Sequence, residues 1–172
     1  METRAKDEKL QEQLGDAPID SSSLPVRQHE AEIIAAVSSS PVTIVTGETG
    51  SGKTTQLPQM LLDAPSILGE SSLLVAVTQP RRVAAISVAR RVSAERKCAT
   101  GTEVGYAVRF EEQRSRNTRL IYLTDGTLLR EMLTDPLLAR CCSFFTHRSW
   151  LEIVRSVDLL SIWLAKATYH LA

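Results

Sequence analysis

The chain is poor in aromatic residues, which make up 5% of its 172 positions, and it has no net charge. Its three cysteines, Cys98, Cys141 and Cys142, have no metal-ligand spacing. An adjacent pair is a poor disulfide partner, so reduced thiols in an intracellular compartment, nucleus or cytoplasm, are expected. No uncharged apolar run reaches the roughly 18 residues that a membrane span needs. The first residues (Glu2, Arg4, Lys6, Asp7, Glu8, Lys9) are too charged for a secretory signal, so a secreted protein is not expected. What remains is a hydrophobic fraction of 43%, that of a globular chain, and a length sufficient for one domain with a core.

The charge is unevenly spread. Residues 1–46 carry four Lys/Arg against eight Asp/Glu, and residues 78–119 carry ten Lys/Arg against four Glu. The basic middle fits either a local anionic partner or a solvated helix face.

Residues 47–56 read Gly-Glu-Thr-Gly-Ser-Gly-Lys-Thr-Thr-Gln. Gly47, Gly50 and Gly52 allow a turn whose N–H groups point inward, with no side chain blocking a phosphate. Glu48, Thr49, Ser51 and Thr55 complete the loop, Lys53 reaches β- and γ-phosphates, and Thr54 supplies a hydroxyl for Mg²⁺. Val42 to Val45 reads as a buried strand entering the loop, and Lys53 to Leu62 as a helix whose dipole points at the phosphates. The pattern marks a nucleoside triphosphate site.

Elsewhere, residues 1–16 are polar, a solvated helix or disordered, and Asp16 to Ser23 reads as a linker. Pro25 suits a first helical turn, with Ile33, Ile34 and Val37 as the buried face, ended by Ser38-Ser39-Ser40-Pro41. Pro65 to Ser72 makes a connection. Leu73 to Val77 is a second buried run, leading through Thr78-Gln79-Pro80 into a helix from Arg81 to about Lys97. There Ala85, Val88, Ala89 and Val92 form the apolar stripe, with Arg82, Arg90 and Arg91 off it. Val104 to Phe110 alternates as a half-exposed strand, and Leu120 to Leu123 is a third buried run. Asp125 is the expected N-cap of a helix through Leu133. Strands alternating with helices predict a parallel sheet covered on both faces. The phosphate loop, Thr78–Arg82 and Thr124–Gly126 all follow strands and should share one rim. Arg81 and Arg82 at a helix start suit either a phosphate backbone or a salt-bridged terminus. Without interleaved aromatics, base stacking is not indicated.

Four blocks taken together resemble the DEAH-box family of ATP-dependent RNA helicases. Gly47–Gln56 is similar to motif I and Thr78-Gln79-Pro80-Arg81-Arg82-Val83-Ala84-Ala85 to motif Ia. Val104-Gly105-Tyr106-Ala107-Val108-Arg109-Phe110 is similar to the strand that follows, and Thr124-Asp125-Gly126-Thr127-Leu128-Leu129-Arg130-Glu131 to motif Ib. The likeness runs from about Leu24 to Arg140. It implies an α/β, RecA-like P-loop domain of three layers with a mostly parallel sheet, incomplete at its C-terminal side. The parts are then a polar extension (1–23), a partial first RecA-like domain (24–140) and an atypical tail (141–172). The resemblance further implies ATP and Mg²⁺ as cofactors, with Gly50 to Thr54 on the phosphates and Arg91 stacked on the base. Arg81, Arg82, Arg109, Thr124, Asp125 and Gly126 would touch or support an RNA backbone, in a salt-sensitive, sequence-independent way. Helicase-activating protein cofactors are further candidate partners, and no membrane is.

Relatives place Asp-Glu-Ala-His after a strand that Cys142 to Thr146 would form here. This chain has His147-Arg148-Ser149-Trp150 instead, so no catalytic residue is identifiable. Leu151, Val154, Val157, Leu160 and Leu164 fall at rough helical spacing. A retained intron, alternative exon or frame change after about Arg140 would produce the break, and a truncated chain is expected to bind ATP weakly and hydrolyse it poorly. A non-catalytic nucleotide- or RNA-binding product is the competing reading. A small-molecule or nucleoside kinase is a third, although the Thr-Gln-Pro-Arg-Arg block is foreign to one.

Overall fold

The computed structural model describes residues 23–68, 74–136, 138, 141–147 and 151–155. The expected extension and linker before Ser23, the line of Val157, Leu160 and Leu164, and the segment 148–150 lie outside the described residues.

A 3₁₀ turn at Pro25–His29 runs directly into α1, Glu30–Ser39. Proline fits that first turn because its missing N–H has no helical partner there in any case. As expected, Ile33 and Val37 are buried, and Ile34 packs against the core. Strand β1 (Val42–Val45) leads into the glycine loop, and α2 (Lys53–Asp63) leaves it. A short helix α3 (Pro65–Leu68) occupies the start of what the sequence presents as a plain connection. Then come β2 (Leu74–Gln79), α4 (Arg82–Glu95), β3 (Val104–Val108), β4 (Glu111–Gln113), β5 (Leu120–Thr124), α5 (Asp125–Thr134), β6 (Cys141–His147) and β7 (Leu151–Arg155).

The strands form one sheet in the order β1-β7-β6-β2-β5-β3-β4. Its centre, β6-β2-β5-β3, is parallel, and β7 and β4 run against it. On one face the side chains of Val75, Val77, Val104, Tyr106, Leu120 and Tyr122 meet α1, α2 and α4. On the other, Ala76, Ala107, Ile121 and Leu123 meet Leu128 and Met132 of α5. Alternate residues of the same strands thus serve two cores, as the two-faced parallel sheet requires.

Four expectations are corrected. Among the described strands β1 lies at the edge, paired with β7 alone, and Val42 is 38% and Ile44 60% exposed. β3 is buried at all five positions, since β5 and β4 flank it and both faces are covered; Arg109 and Phe110 belong to the turn beyond it. Leu151 and Val154 lie on a strand and not on a helix. Only residues 148–150 separate β6 from β7, and so short a link permits a hairpin but no crossover. Finally, Thr124 is the N-cap of α5, and Asp125 is its first helical residue.

Candidate phosphate-binding site

The loop between β1 and α2 turns on two glycines in the left-handed region, Gly50 (φ 88°) and Gly52 (φ 91°). A methyl group at Gly50 would meet nothing within 4 Å, so the mouth of the loop is open there. At Gly52 it would meet Leu24, Gln56 and Val26 side chains at 3.0–3.2 Å, so the loop is pressed against the 3₁₀ turn. A backbone bond fixes that contact, Val26 N–H donating to Ser51 O (3.3 Å), while Gln56 N–H donates to Gly52 O (2.7 Å) at the start of α2. The Ser51 hydroxyl closes the turn by donating to Glu48 O at 2.8 Å.

Lys53 folds back over this loop. Its ammonium donates to Gly47 O and Glu48 O, both at 2.6 Å, and to Ser51 Oγ at 3.1 Å. A cleft of about 760 Å³ lies beside it, walled by the loop and β1 on one side and by Val26, Ile33 and Ala36 on the other. A cation at the mouth of a glycine loop, with a helix N-terminus beneath it, is an anion site in its electrostatics.

Below the loop, α2 is buried at six successive positions, 56 to 61, and two of these are glutamines. Gln56 Oε1 accepts from Arg27 Nε (3.2 Å) and Nη2 (2.9 Å), while its Nε2 donates to Glu95 Oε2 at 2.9 Å. Gln59 Nε2 donates to the same oxygen at 2.9 Å, and Arg91 Nε to Glu95 Oε1 at 3.0 Å. Burial alone would raise the Glu95 carboxyl. The amide bonds from Gln56 and Gln59, then Arg91, together outweigh it and hold the group below the usual carboxylate range. Arg91, expected at the nucleotide base, is thereby tied to the helix that leaves the phosphate loop.

The remaining expected residues gather at the ends of three neighbouring strands. Gln79, last in β2, pairs with Thr124, last in β5, and β3 lies beside β5. Arg81 caps α4 and is exposed. Arg82 is half exposed, with Nη2 3.8 Å from Glu111 Oε2, so the salt-bridged alternative describes one arginine of the pair and does so loosely. Arg109 lies 4.7 Å over the ring of Phe110, which is 85% exposed at φ 69°. Thr124 Oγ1 bonds Thr127 Oγ1 at 2.9 Å, Asp125 is exposed, and the space beside Gly126 is open. All these strand ends lie on the rim that carries the phosphate loop, from which β7 and β6 separate them. His147 ends β6 on the same rim.

Sequence reading missed Arg27, Gln56, Gln59, Glu95 and Tyr122. Two glutamines three apart among Leu57, Met60 and Leu61 were the available signal, since a buried polar pair needs partners.

Fold and loop define the class: an α/β domain with a glycine-rich loop between β1 and α2, at the carboxyl ends of its parallel strands. No family model matches the chain. Among curated proteins it is 52% identical over 112 residues to the "Probable ATP-dependent RNA helicase DHR2" of Saccharomyces cerevisiae, 65% of this chain and 15% of that protein. It is 48% identical over 118 residues to the "Pre-mRNA-splicing factor ATP-dependent RNA helicase DEAH10" of Arabidopsis thaliana, 69% of this chain and 16% of that one. Against the "Probable ATP-dependent RNA helicase DHX40" of Pongo abelii the figures are 50% over 117 residues, 67% and 14%. The chain therefore belongs to the DEAH-box RNA helicase family. It spans about one-seventh of the length of these relatives.

Proposed function

We propose that this chain carries the ATP- and RNA-gripping part of a DEAH-box RNA helicase. The observation that carries the reading is the loop at 47–55, with left-handed Gly50 and Gly52 and Lys53 suspended over three loop oxygens. Entering phosphate oxygens would take over the Lys53 ammonium and the amides at the start of α2. The loop fits the group: Gly50 leaves the mouth open, and Gly52 sits where any side chain would collide. Mg²⁺ bound with ATP would screen the phosphate charge, and Thr54 offers it a hydroxyl.

Among the described residues no group of three or more His, Cys, Asp or Glu is placed to hold a metal. Magnesium is then expected to arrive with the nucleotide. Arg91 is the candidate for the base. Arg81, Arg82, Arg109, Thr124, Asp125 and Gly126, on three adjacent strand ends, are the candidates for an RNA backbone. No helix among the described residues is long and apolar enough to cross a membrane.

His147 stands where the family places carboxylates that orient the metal and the attacking water. Hydrolysis needs both held from two sides, so binding is expected to be weak and turnover near background. That observation favours a binding role for this chain over catalysis. The test is fluorescent ADP titration and phosphate release on the 172-residue chain and on Lys53→Ala. Magnesium-dependent binding lost in Lys53→Ala, with little phosphate release, is the expected result. Brisk RNA-stimulated release abolished by Lys53→Ala would overturn the binding-only role, and absence of nucleotide binding would overturn the whole reading.

A further inference from the structure

Helix α2 carries a proline in its interior, Pro58. In an α-helix the amide of residue 58 donates to the carbonyl of residue 54, and proline has no amide hydrogen. The Thr54 carbonyl is therefore deprived of its intrahelical donor, in the first turn after the phosphate loop. The structure fills this gap from another element. Tyr122 of β5 donates its hydroxyl to Thr54 O at 3.1 Å. Tyr122 is fully buried, and burial, then the nearby Glu95 charge, push its phenol well above the ordinary value, so it remains a donor at any physiological pH. Neighbouring carbonyls have their own partners: Gln56 N–H serves Gly52 O, and Gln59 Nε2 serves Thr55 O at 2.9 Å.

We propose that Tyr122 is a positioning residue for the phosphate site: its hydroxyl replaces the amide that Pro58 removes, fixes the Thr54 peptide, and so aims the Thr54 side chain. The part of this that concerns Mg²⁺ rests on the nucleotide reading above; the hydrogen bond itself does not. Tyr122 also lies two residues before Thr124 on the strand that ends at the proposed RNA rim. A displacement of that strand end is thus carried to the peptide beside Lys53 without passing through the sheet's other strands.

The proline supplies its own control. Tyr122→Phe removes only the hydroxyl, whereas Pro58→Ala returns an amide to the helix that can serve Thr54 O without help. The full chain, both single variants and the double variant are compared in two assays. Amide hydrogen exchange across Lys53–Leu57, without nucleotide, reads the hydrogen bond. Fluorescent ADP affinity with Mg²⁺ and with EDTA reads its consequence.

Tyr122→Phe is expected to speed exchange in that turn and to cut the magnesium-dependent gain in affinity, each by roughly fivefold to tenfold as one net hydrogen bond implies. Affinity in EDTA should stay within about twofold. The double variant should recover both, which loss of packing alone would not allow. Unchanged exchange and unchanged magnesium gain in Tyr122→Phe overturn the assignment, as does a loss that persists in the double variant. If Tyr122→Phe is too unstable to assay, the double variant must fold better than the single, and equal instability also overturns it. A wild-type chain that binds no ADP refutes the nucleotide reading, while the exchange experiment still decides the role of Tyr122.

Discussion

Gln56→Ala is expected to be among the most damaging single changes in this chain, although Gln56 is itself polar. Gln56 is 0% exposed and joins two charged groups of opposite sign that do not otherwise meet, Arg27 above and Glu95 below. Truncation leaves Arg27 with Glu30 and leaves Glu95 with Gln59 and Arg91. A hydrogen bond to a charged group contributes about 1.5–3 kcal/mol, so losing two such partnerships should cost about 3–6 kcal/mol. That is a large share of the roughly 5–15 kcal/mol that holds a domain folded. For a chain of this size it corresponds to a fall in Tm of about 10 °C. Urea unfolding followed by circular dichroism measures it, with the midpoint shifting at constant m. Glu32→Gln is the matched control, because the His29–Glu32 pair (3.2 Å) is exposed at both ends and should contribute close to nothing. A Gln56→Ala cost below about 1 kcal/mol would refute the argument, since the network would then be no better than its hydrated parts.

Two further outcomes are expected. Gly52→Ala should lose both stability and nucleotide binding, because strain at φ 91° adds to collisions with Leu24, Gln56 and Val26; Gly50→Ala, with open space around it, should show only the left-handed strain of about 1–2 kcal/mol. Parallel thermal melts and ADP titrations separate the two. Because the Glu95 carboxyl is held below its ordinary value of 4.5, its contribution is complete above that pH and disappears as pH falls through the lower folded value. An acid titration of stability should therefore be flatter in Glu95→Gln below pH 4.5 than in the parent chain, and identical slopes would count against the network.

The alternation of strands and helices was legible because β2 and β5 are short apolar runs and α1 and α4 carry apolar stripes, all local signals. The glycine loop was legible for the same reason. What could not be read was position within the sheet. Val42–Val45 has the same apolar pattern as β2, yet one lies at the edge and the other at the centre, and that depends on which strand pairs with it. The alternation across Val104–Phe110 suits a strand with one buried face, whereas both faces of β3 are covered. The cap of α5 was misplaced by one residue because Thr124 and Asp125 are both good caps, and only the backbone decides between them. In the candidate site the loop was local and visible, but the Arg27–Gln56–Glu95 network and the Tyr122–Thr54 bond join residues from separate elements. No spacing rule along one helix encodes such contacts.

The pairing of β1 has a consequence for the order in which the molecule is made. Val42 lies opposite Val154, from the last described strand, and among the described residues no other strand pairs with β1. As the chain emerges from the ribosome, β2, β5, β3 and their helices can assemble while β1 is still without a neighbour. The oldest strand, with the glycine loop at its end, must wait for the youngest. A nascent chain stalled before Leu151 would therefore carry β1 without the strand that pairs with it, while the loop at its end already rests on the 3₁₀ turn through Val26 and Ser51.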